Sequence, residues 1–176
     1  MTFEVKRDGE EEGPGDGAKS LYRPNVGVVL FNGDGQVWLG RRINTPAPYN
    51  WQFPQGGVDK GEDVGRAALR ELQEETGVVS TAYLGRTAEW ITYDFPEGYR
   101  GSKMARGWRG QRQLWFALRF TGEDAEVNLA AHRHVEFDAW RWGELEETPE
   151  LVVPFKRAAY EAVVEAFRDF ARPQTA

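Results

Sequence analysis

The feature that most constrains this sequence is the segment from Gly56 to Val78, which reads GGVDKGEDVGRAALRELQEETGV. Its residues from Glu62 to Thr76 have the periodicity of an amphipathic helix, and Gly77 suits the position just after a helix. The apolar stripe of this helix is formed by Val64, Ala68 and Leu72. The segment therefore predicts a helix that packs on a core through one stripe and ends at a glycine.

Three glutamates share one face of this helix, because residues three and four positions apart are neighbours on a helix surface. They are Glu71, Glu74 and Glu75. At roughly 100° per residue they span an arc of about 100°, beside the apolar stripe rather than opposite it. Partly buried like charges need a compensating cation, and clustered carboxylates suit Mg²⁺, Mn²⁺ or another divalent cation. The three glutamates alone leave two interpretations open, a metal site and the simpler one of a solvated acidic helix face with Glu/Arg pairs, and the surrounding residues decide between them.

The order of residues around these glutamates resembles the Nudix box, the signature of the Nudix hydrolases. Its fixed positions are occupied by Gly56, Glu62, Arg70-Glu71-Leu72, Glu74-Glu75 and Gly77-Val78. The resemblance implies an α/β/α sandwich around a mixed β-sheet, and metal-dependent hydrolysis of nucleoside diphosphates linked to another moiety. It also implies that Arg70 pairs with Glu62. These two residues, with Gly56 and Gly77, are interpreted as structural members of the box.

The chemistry expected of such a site follows from charge. Metal ions neutralise the oxygens of a diphosphate and lower the pKa of bound water, and a carboxylate accepts the proton of that water. Glu71, Glu75 and a glutamate on a loop remain alternatives for this base. Gly56 and Gly57 allow the backbone to approach a ligand without an intervening side chain. Arg70 is expected to point to another side of the helix.

The rest of the chain predicts one α/β domain with a mixed sheet over residues 21–172, preceded by a mobile acidic tail, residues 1–20. Asn32 to Gly35 separates two β-rich runs and predicts a hairpin. Further strands are expected near 82–94, 112–120 and 135–142. A last helix is expected from Pro154. Its predicted apolar stripe comprises Phe155, Ala159, Ala162, Val163, Ala166, Phe167 and Phe170.

Charge and composition exclude some classes of protein. The net charge of −6 argues against nonspecific coating of nucleic acid, so phosphates would have to meet locally arranged cations. The chain has no cysteine, which excludes disulfides and cysteine-zinc sites. It has no apolar run suited to a signal peptide or a membrane span. A cytoplasmic enzyme that does not associate with membranes is the expectation.

Segments outside the box resemble the bacterial group of RNA pyrophosphohydrolases and dinucleoside polyphosphate hydrolases. They are Tyr22–Gly27, Trp51–Gly57, Glu136–Trp142 and Val152–Arg157. Members of this group convert 5′-triphosphorylated RNA ends to monophosphates, a step in mRNA decay, and some split diadenosine polyphosphates. The stretch from Asn44 to Asn50 is longer than in the best-known RNA-acting members, which leaves both substrates open.

Four functions are therefore weighed. The leading hypothesis is removal of pyrophosphate from 5′-triphosphorylated RNA, and the main alternative is a diadenosine tetraphosphate hydrolase. The segments outside the box disfavour a general nucleoside triphosphate hydrolase. A non-catalytic nucleotide sensor is disfavoured because all the glutamates of the box are present.

Candidate substrate contacts come from a basic segment and from the resemblance. The Gly-rich segment between Tyr99 and Arg112 contains no acid, and it predicts a polyphosphate or RNA contact, or else a solvated loop. Its main candidates are Arg100, Lys103 and Arg106, followed by Arg109 and Arg112. The resemblance places Arg23 and Arg42 against phosphate or base.

Three further residues near the C-terminal half are candidates through the resemblance. It implies that Phe155 stacks on a base rather than belonging to the core, and the adjacent Lys156 is a further candidate for contact with the nucleotide or RNA. It also implies that Glu136 is an additional metal ligand or the base, with an exposed strand-end acid as the alternative. His132 and His134 have no third ligand in the pattern and are interpreted as surface residues.

Overall fold

The computed structural model describes residues 21–99 and 107–175 of the chain. The predicted tail, residues 1–20, and three of the basic candidates, Arg100, Lys103 and Arg106, lie outside these ranges. The strands of the described part are β1 Tyr22–Phe31, β2 Val37–Arg42, β3 Trp51–Gln52, β4 Gln55–Gly57, β5 Thr81–Arg86, β6 Ile91–Asp94, β7 Gly110–Phe120 and β8 Phe137–Gly143. Its α-helices are α1 Val64–Thr76, α2 Thr148–Leu151 and α3 Arg157–Phe167.

A mixed sheet forms the centre of the fold, as predicted. Its main path runs β3-β2-β1-β7-β5, with β4 paired to β1, β6 to β7, and β8 to β2. The pair β1–β7 is parallel over its whole length, whereas the other described pairs are antiparallel. The long parallel pair therefore joins two segments far apart in the sequence.

Each face of the sheet carries an apolar layer covered by one long helix, so the predicted α/β/α arrangement is present. On one face, Ala67, Ala68 and Leu72 of α1 pack against alternate residues of β1 and β7. On the other face, Tyr160 and Val163 of α3 belong to a cluster with Phe53 and Trp115. Successive side chains of a strand point to opposite faces, which explains why both strands serve both layers.

The helix with the three glutamates begins two residues later than predicted. Asp63 caps its N-terminus, because its carboxylate accepts the backbone N–H of Arg66 at 3.0 Å. Glu62 belongs instead to the preceding loop, where its carboxylate accepts the N–H of Asp59 at 2.9 Å. Gly77 ends the helix with a φ of 78°, as the glycine signal indicated.

The hairpin between β1 and β2 is formed as predicted. The side-chain oxygen of Asn32 accepts the backbone N–H groups of Asp34 and Gln36 at 3.0 and 2.9 Å. Gly35 takes the left-handed conformation of the turn, with a φ of 79°. The single strand expected near 82–94 is divided into β5 and β6.

The C-terminal region differs from its prediction. Pro154 begins a 3₁₀ turn rather than an α-helix, and the short helix α2 precedes it. The buried face of α3 includes Tyr160 and Val164, whereas Ala162 and Ala166 are exposed. The predicted stripe is confirmed at Ala159, Val163 and Phe167, which are buried, and it is wrong at Ala162 and Ala166, whose places are taken by the larger side chains of Tyr160 and Val164. None of the helices in the described ranges is both long and apolar enough to cross a membrane.

Candidate active site

A cavity of about 360 Å³ is lined by residues of α1, of strands β1 to β4, β6 and β7, and of the loops beside them. The predicted acids that line it are Glu71, Glu74, Glu75 and Glu136. The predicted cations that line it are Arg23, Arg42 and Lys156. The fold therefore brings together acids and bases that are up to 133 positions apart in the sequence, between Arg23 and Lys156. The four acids are called the acidic wall of this cavity below, and the three cations its cationic wall.

The two glycines before α1 make room for side chains of the site. A Cβ on Gly56 would lie 1.9 Å from the carboxyl carbon of Glu71, and one on Gly57 would lie 2.1 Å from a terminal nitrogen of Arg23. The sequence interpretation assigned this space to a ligand. In the structure, this space is occupied by Glu71 and Arg23, which lie against the β4 backbone because Gly56 and Gly57 have no side chain.

Arg70 holds the loop and the helix together. Its guanidinium donates to Glu62 at 2.7 and 3.0 Å and to the carbonyl of Gly57 at 2.8 Å. The predicted pairing of Arg70 with Glu62 is therefore confirmed. The expectation that Arg70 points away from the other glutamates is wrong, because its Nη1 lies 2.7 Å from Glu71 and 3.4 Å from Glu74. The flexible Arg70 side chain reaches across the helix surface and bonds both Glu62 of the loop and the glutamates of the helix.

Burial makes the acidic wall electrostatically costly. It raises the pKa of Glu71 to about 7, although Arg70 acts in the opposite direction. The carboxylate of Glu75 accepts the N–H of Gln55 at 3.2 Å and is almost fully buried. Burial raises the pKa of Glu75 well above its usual value, and the charges of Glu71 and Glu136 raise it further. A cation at this wall would relieve both effects.

The donor set fits a divalent metal by its chemistry. Glu71, Glu74 and Glu75 offer the hard oxygen ligands that Mg²⁺ and Mn²⁺ prefer, on one wall of one cavity. Among the described residues, no three such side chains are gathered closely enough to hold an ion as they stand. One guanidinium nitrogen of Arg70 bonds both Glu71 and Glu74, whereas Glu75 accepts the Gln55 N–H. Metal binding by this set would require these carboxylates to turn from Arg70.

Lys156 belongs to the cationic wall and is almost fully buried. Its ammonium group lies 3.4 Å from the side-chain oxygen of Gln52. Burial lowers the pKa of Lys156 to about 7, and the charge of Arg42 lowers it further, while Glu75 and Glu136 act in the opposite direction. An anionic ligand in this cavity would favour the charged form of Lys156.

A second cavity of about 380 Å³ adjoins the first, and Arg42, Tyr99 and Glu136 line both. Phe155 lines only the second cavity, together with Asn44, Thr45 and Pro46 of the long segment after β2. The Phe155 ring is only partly buried and packs on Tyr99 and Tyr93, with centroid distances of 5.2 and 5.9 Å. Tyr49 contacts Arg157, whose guanidinium carbon lies 6.0 Å from the ring centroid.

Two members of the basic segment are described, and neither lines these cavities. Arg109 pairs with Asp94 at 3.0 Å on the surface. Arg112 lies over the ring of Trp90 at 4.4 Å. The candidates that remain for substrate contact in this segment are those outside the described ranges.

Sequence reasoning missed several residues of the site. His132 and His134, interpreted as plain surface residues, are exposed at the rim of the first cavity. The floor of that cavity includes buried amides, of which Asn25 and Gln111 lie on neighbouring strands. Polar residues at alternate positions of an otherwise apolar strand were the available signal, in NVG of β1 and QRQLW of β7.

The fold and this site define the class of protein. The NUDIX domain matches residues 21–163, and the chain belongs to the Nudix family of hydrolases. Hydrolases of this family generally need divalent cations, in agreement with the acidic wall.

Curated relatives extend the comparison over most of the chain. An RNA pyrophosphohydrolase from Caulobacter vibrioides is 68% identical over 152 residues, which are 86% of this chain and 88% of the relative. An RNA pyrophosphohydrolase from Rhodospirillum rubrum is 51% identical over 155 residues, 88% of this chain and 92% of the relative.

Solved structures of the same fold include a Caenorhabditis elegans Ap4A hydrolase, with a TM-score of 0.59 and 21% identity. The match covers 84% of this chain and 98% of that one. The Escherichia coli dihydroneopterin triphosphate pyrophosphohydrolase matches with a TM-score of 0.55 and 21% identity, over 84% and 99% of the two chains. At this identity the likeness establishes the fold alone.

Proposed function

We propose that this protein hydrolyses the 5′-triphosphate end of RNA, releasing pyrophosphate and leaving a 5′-monophosphate. We further propose Mg²⁺ as its cation, with Mn²⁺ or another divalent cation as an alternative. The relatives named RNA pyrophosphohydrolase support the choice of substrate, at up to 68% identity among those compared.

The observation that carries this proposal is the junction of the two cavities. The first has an acidic wall and a cationic wall, which suits a metal-bound polyphosphate. The second opens beside it and offers the partly exposed ring of Phe155. A substrate that extends beyond its reacting end needs such a second compartment, and aromatic rings stack on bases of any type.

The proposed roles of the residues follow from their positions. Glu71, Glu74 and Glu75 would hold the divalent cation, with Glu136, just before β8, as a further ligand. When bound, this cation supplies charge neutralisation at the phosphates and lowers the pKa of water. Glu62 and Arg70 would hold the loop before α1 against the helix, while Gly56 leaves room for Glu71 and Gly77 ends the helix.

The remaining steps rest on side chains of this chain. A water oxygen attacks phosphorus, the anhydride bond breaks, and pyrophosphate leaves with its charge balanced by the cationic wall. Arg23, Arg42 and Lys156 form that wall. A carboxylate accepts the proton of the attacking water. Glu71, Glu75 and Glu136 are the proposed candidates for this role, since all three line the cavity.

A second candidate function is hydrolysis of diadenosine tetraphosphate, with the same acids and cations. The observation in its favour is that Asn44, Thr45 and Pro46 shape the second cavity, which would then hold the second adenosine. Tyr49 lies in the same segment and presents a partly exposed ring.

One comparison of substrates tests both proposals. The values of kcat/KM with Mg²⁺ are measured for a triphosphorylated RNA oligonucleotide, diadenosine tetraphosphate and free GTP. The RNA proposal predicts the highest value for the oligonucleotide. A much higher value for diadenosine tetraphosphate would replace it by the second candidate, and a highest value for GTP would contradict both.

A further inference from the structure

The floor of the first cavity contains a buried amide network. In the parallel pair β1–β7, Asn25 lies beside Gln113, and Gly27 lies beside Trp115. Side chains at alternate positions share a face, so these four residues occupy the same side of the sheet. Asn25 and Gln113 are each 1% exposed, and Asn25 lines the cavity whereas Gln113 lies behind it.

Close packing on several sides holds the Trp115 ring in this network. A Cβ on Gly27 would lie 2.3 Å from the Trp115 ring, so the glycine lets the indole lie across β1. Phe53 and Tyr160 pack edge-on against the same indole, each with a centroid distance of 5.6 Å. The ring is completely buried, and its packing directs the indole nitrogen to Gln113.

This indole nitrogen determines which way the neighbouring amides point. An indole N–H donates and never accepts, and it lies 3.2 Å from Oε1 of Gln113. The Gln113 amide nitrogen must then point to the other side. There it donates to Oδ1 of Asn25 at 2.8 Å and approaches Oε1 of Gln55 at 3.5 Å. The oxygen and nitrogen of an amide side chain are often hard to tell apart. Here the Trp115 N–H decides the assignment, because it can only donate.

The consequence appears at the cavity surface. Because the Asn25 oxygen is bonded to Gln113, the Asn25 NH₂ group is left for the cavity that Asn25 lines. Among the described residues this NH₂ group has no hydrogen-bond acceptor. This donor is open to the cavity rather than enclosed, so a ligand can reach it, and phosphate oxygens are strong acceptors.

We propose that Asn25 donates a hydrogen bond to a non-bridging phosphate oxygen of the substrate, and that Gln113, oriented by Trp115, is a positioning residue for it. The inference rests on the proposed function, since it assigns a donor to the polyphosphate of that substrate. Gln113 makes no substrate contact of its own. It acts by keeping the donor rather than the acceptor end of Asn25 towards the phosphates.

Substitutions of Asn25 test the direction of the amide. KM and kcat are measured with triphosphorylated RNA, and the inhibition constant of inorganic tripolyphosphate is measured alongside. Asn25→Ala is expected to raise KM and this constant about tenfold, with a smaller effect on kcat. Asn25→Asp keeps the oxygen that Gln113 requires but turns a second oxygen to the phosphates, so a larger rise than for Asn25→Ala is expected. An unchanged or lower KM for Asn25→Asp would overturn the proposal.

A double-mutant cycle tests the positioning role of Gln113. Gln113→Met is expected to raise KM about fivefold in the wild-type background and less than about twofold in the Asn25→Ala background. Trp115→Phe removes the indole N–H and should shift KM in the same direction. Gln36→Met, an amide change in the hairpin at the other end of β1, is the control and should leave KM unchanged. A purely structural role predicts instead that the KM effects of Gln113→Met and Asn25→Ala multiply.

Two features keep the result interpretable. Thermal melts accompany each variant, and the isosteric Asn25→Asp carries the test if Asn25→Ala does not fold. If the wild type does not hydrolyse triphosphorylated RNA, the proposed function fails. The donor assignment is then decided by the same variants with tripolyphosphate and diadenosine tetraphosphate, and equal binding of both by wild type and Asn25→Asp would overturn it.

Discussion

Glu75 and Glu74 differ in environment although they are adjacent residues of one helix. Glu75 is 7% exposed and accepts a backbone N–H from β4, whereas Glu74 is partly exposed and shares Arg70 with Glu71. The two carboxylates are therefore expected to respond differently to neutralisation. Glu75 combines its proposed role in the chemistry with a cost of burying its charge, whereas the partly exposed Glu74 carries little of that cost.

Neutralising either carboxylate should abolish most of the activity. Glu74→Gln and Glu75→Gln are each expected to lower kcat by roughly two to four orders of magnitude, since a ligand or base is lost. With EDTA, Glu75→Gln should also raise the Tm, because an amide can still accept the Gln55 N–H without a buried charge. The measurements are turnover of triphosphorylated RNA and thermal melts. Near-normal turnover of either variant in Mg²⁺ would show that the ligand assignment is wrong.

Arg70 provides a second prediction for a single residue. Arg70→Lys keeps the charge but cannot reach Glu62, Glu71 and the Gly57 carbonyl with one planar fork. It is expected to lower the free energy of unfolding by about 1–3 kcal/mol and to reduce kcat. Arg66→Lys is the matched control, because Arg66 is exposed on the same helix. Denaturant unfolding and turnover are compared, and equal effects of the two changes would contradict the assignment.

At the level of elements, the 3₁₀ turn before α3 and the last turn of α3 each carry a phenylalanine, one at the second cavity and one in the core. Phe155 lies at the 3₁₀ turn, partly exposed beside Tyr99, and lines the second cavity. Phe167, at the end of α3, is 1% exposed within the apolar cluster. Two phenylalanines of one region therefore offer a matched pair for separating binding from stability.

Truncating Phe155 should mainly weaken RNA binding, whereas truncating Phe167 should mainly lower stability. Phe155→Ala is expected to raise KM for RNA several-fold, in line with about 1–3 kcal/mol for base stacking, with a small change in Tm. Phe167→Ala should lower the free energy of unfolding by about 3–5 kcal/mol and leave KM per folded molecule unchanged. A large loss of stability for Phe155→Ala, with unchanged RNA affinity, would assign Phe155 to the core.

At the scale of the whole molecule, the acidic wall should couple stability to pH and to metal. The folded-state pKa of Glu71 is raised from 4.5 to about 7, so the native protein holds a proton that the unfolded chain has released. The free energy of unfolding should therefore fall as pH rises through this window. Glu75 acts in the same direction, and Lys156 is charged in both states below about pH 7. Glu62, whose pKa is lowered, acts in the opposite direction.

Thermal melts in EDTA and in saturating Mg²⁺ test this coupling. The contribution of Glu71 is isolated as the difference between wild type and Glu71→Gln at about pH 5 and about pH 8. In EDTA, the variant is expected to gain in Tm over the wild type at the higher pH. Mg²⁺ should raise the wild-type Tm most at that pH, where the carboxylates are free to bind it. The absence of any rise with Mg²⁺ or Mn²⁺ would contradict the metal assignment.

Substrate discrimination is also a property of the whole molecule, because RNA extends further from the acidic wall than diadenosine tetraphosphate does. Neutralising Arg100, Lys103 and Arg106 together is expected to raise KM for triphosphorylated RNA at least several-fold and to weaken its salt dependence. The effect on diadenosine tetraphosphate should be smaller. Arg109→Gln is the control from the same segment, since Arg109 pairs with Asp94 away from the cavities. Equal losses on both substrates would contradict the RNA proposal.

The sequence by itself determined the elements whose signals are local. The cap at Gly77, the hairpin at Asn32–Gly35 and the shared face of the three glutamates depend on residues within a few positions of each other. Helical and strand periodicities act over the same short range, so the α/β class and the mixed sheet were predicted. The Nudix resemblance added the pairing of Arg70 with Glu62.

Only the tertiary structure decided which distant residues meet. The Gln113–Asn25 bond joins positions 88 apart, and it exists because β1 and β7 pair in parallel in one register. The buried face of α3 likewise depended on packing, which selected Tyr160 over Ala162. A register is specified by the burial of whole faces rather than by any short segment. The amide floor of the cavity and the environment of each carboxylate therefore follow from pairing between strands and helices that no local pattern records.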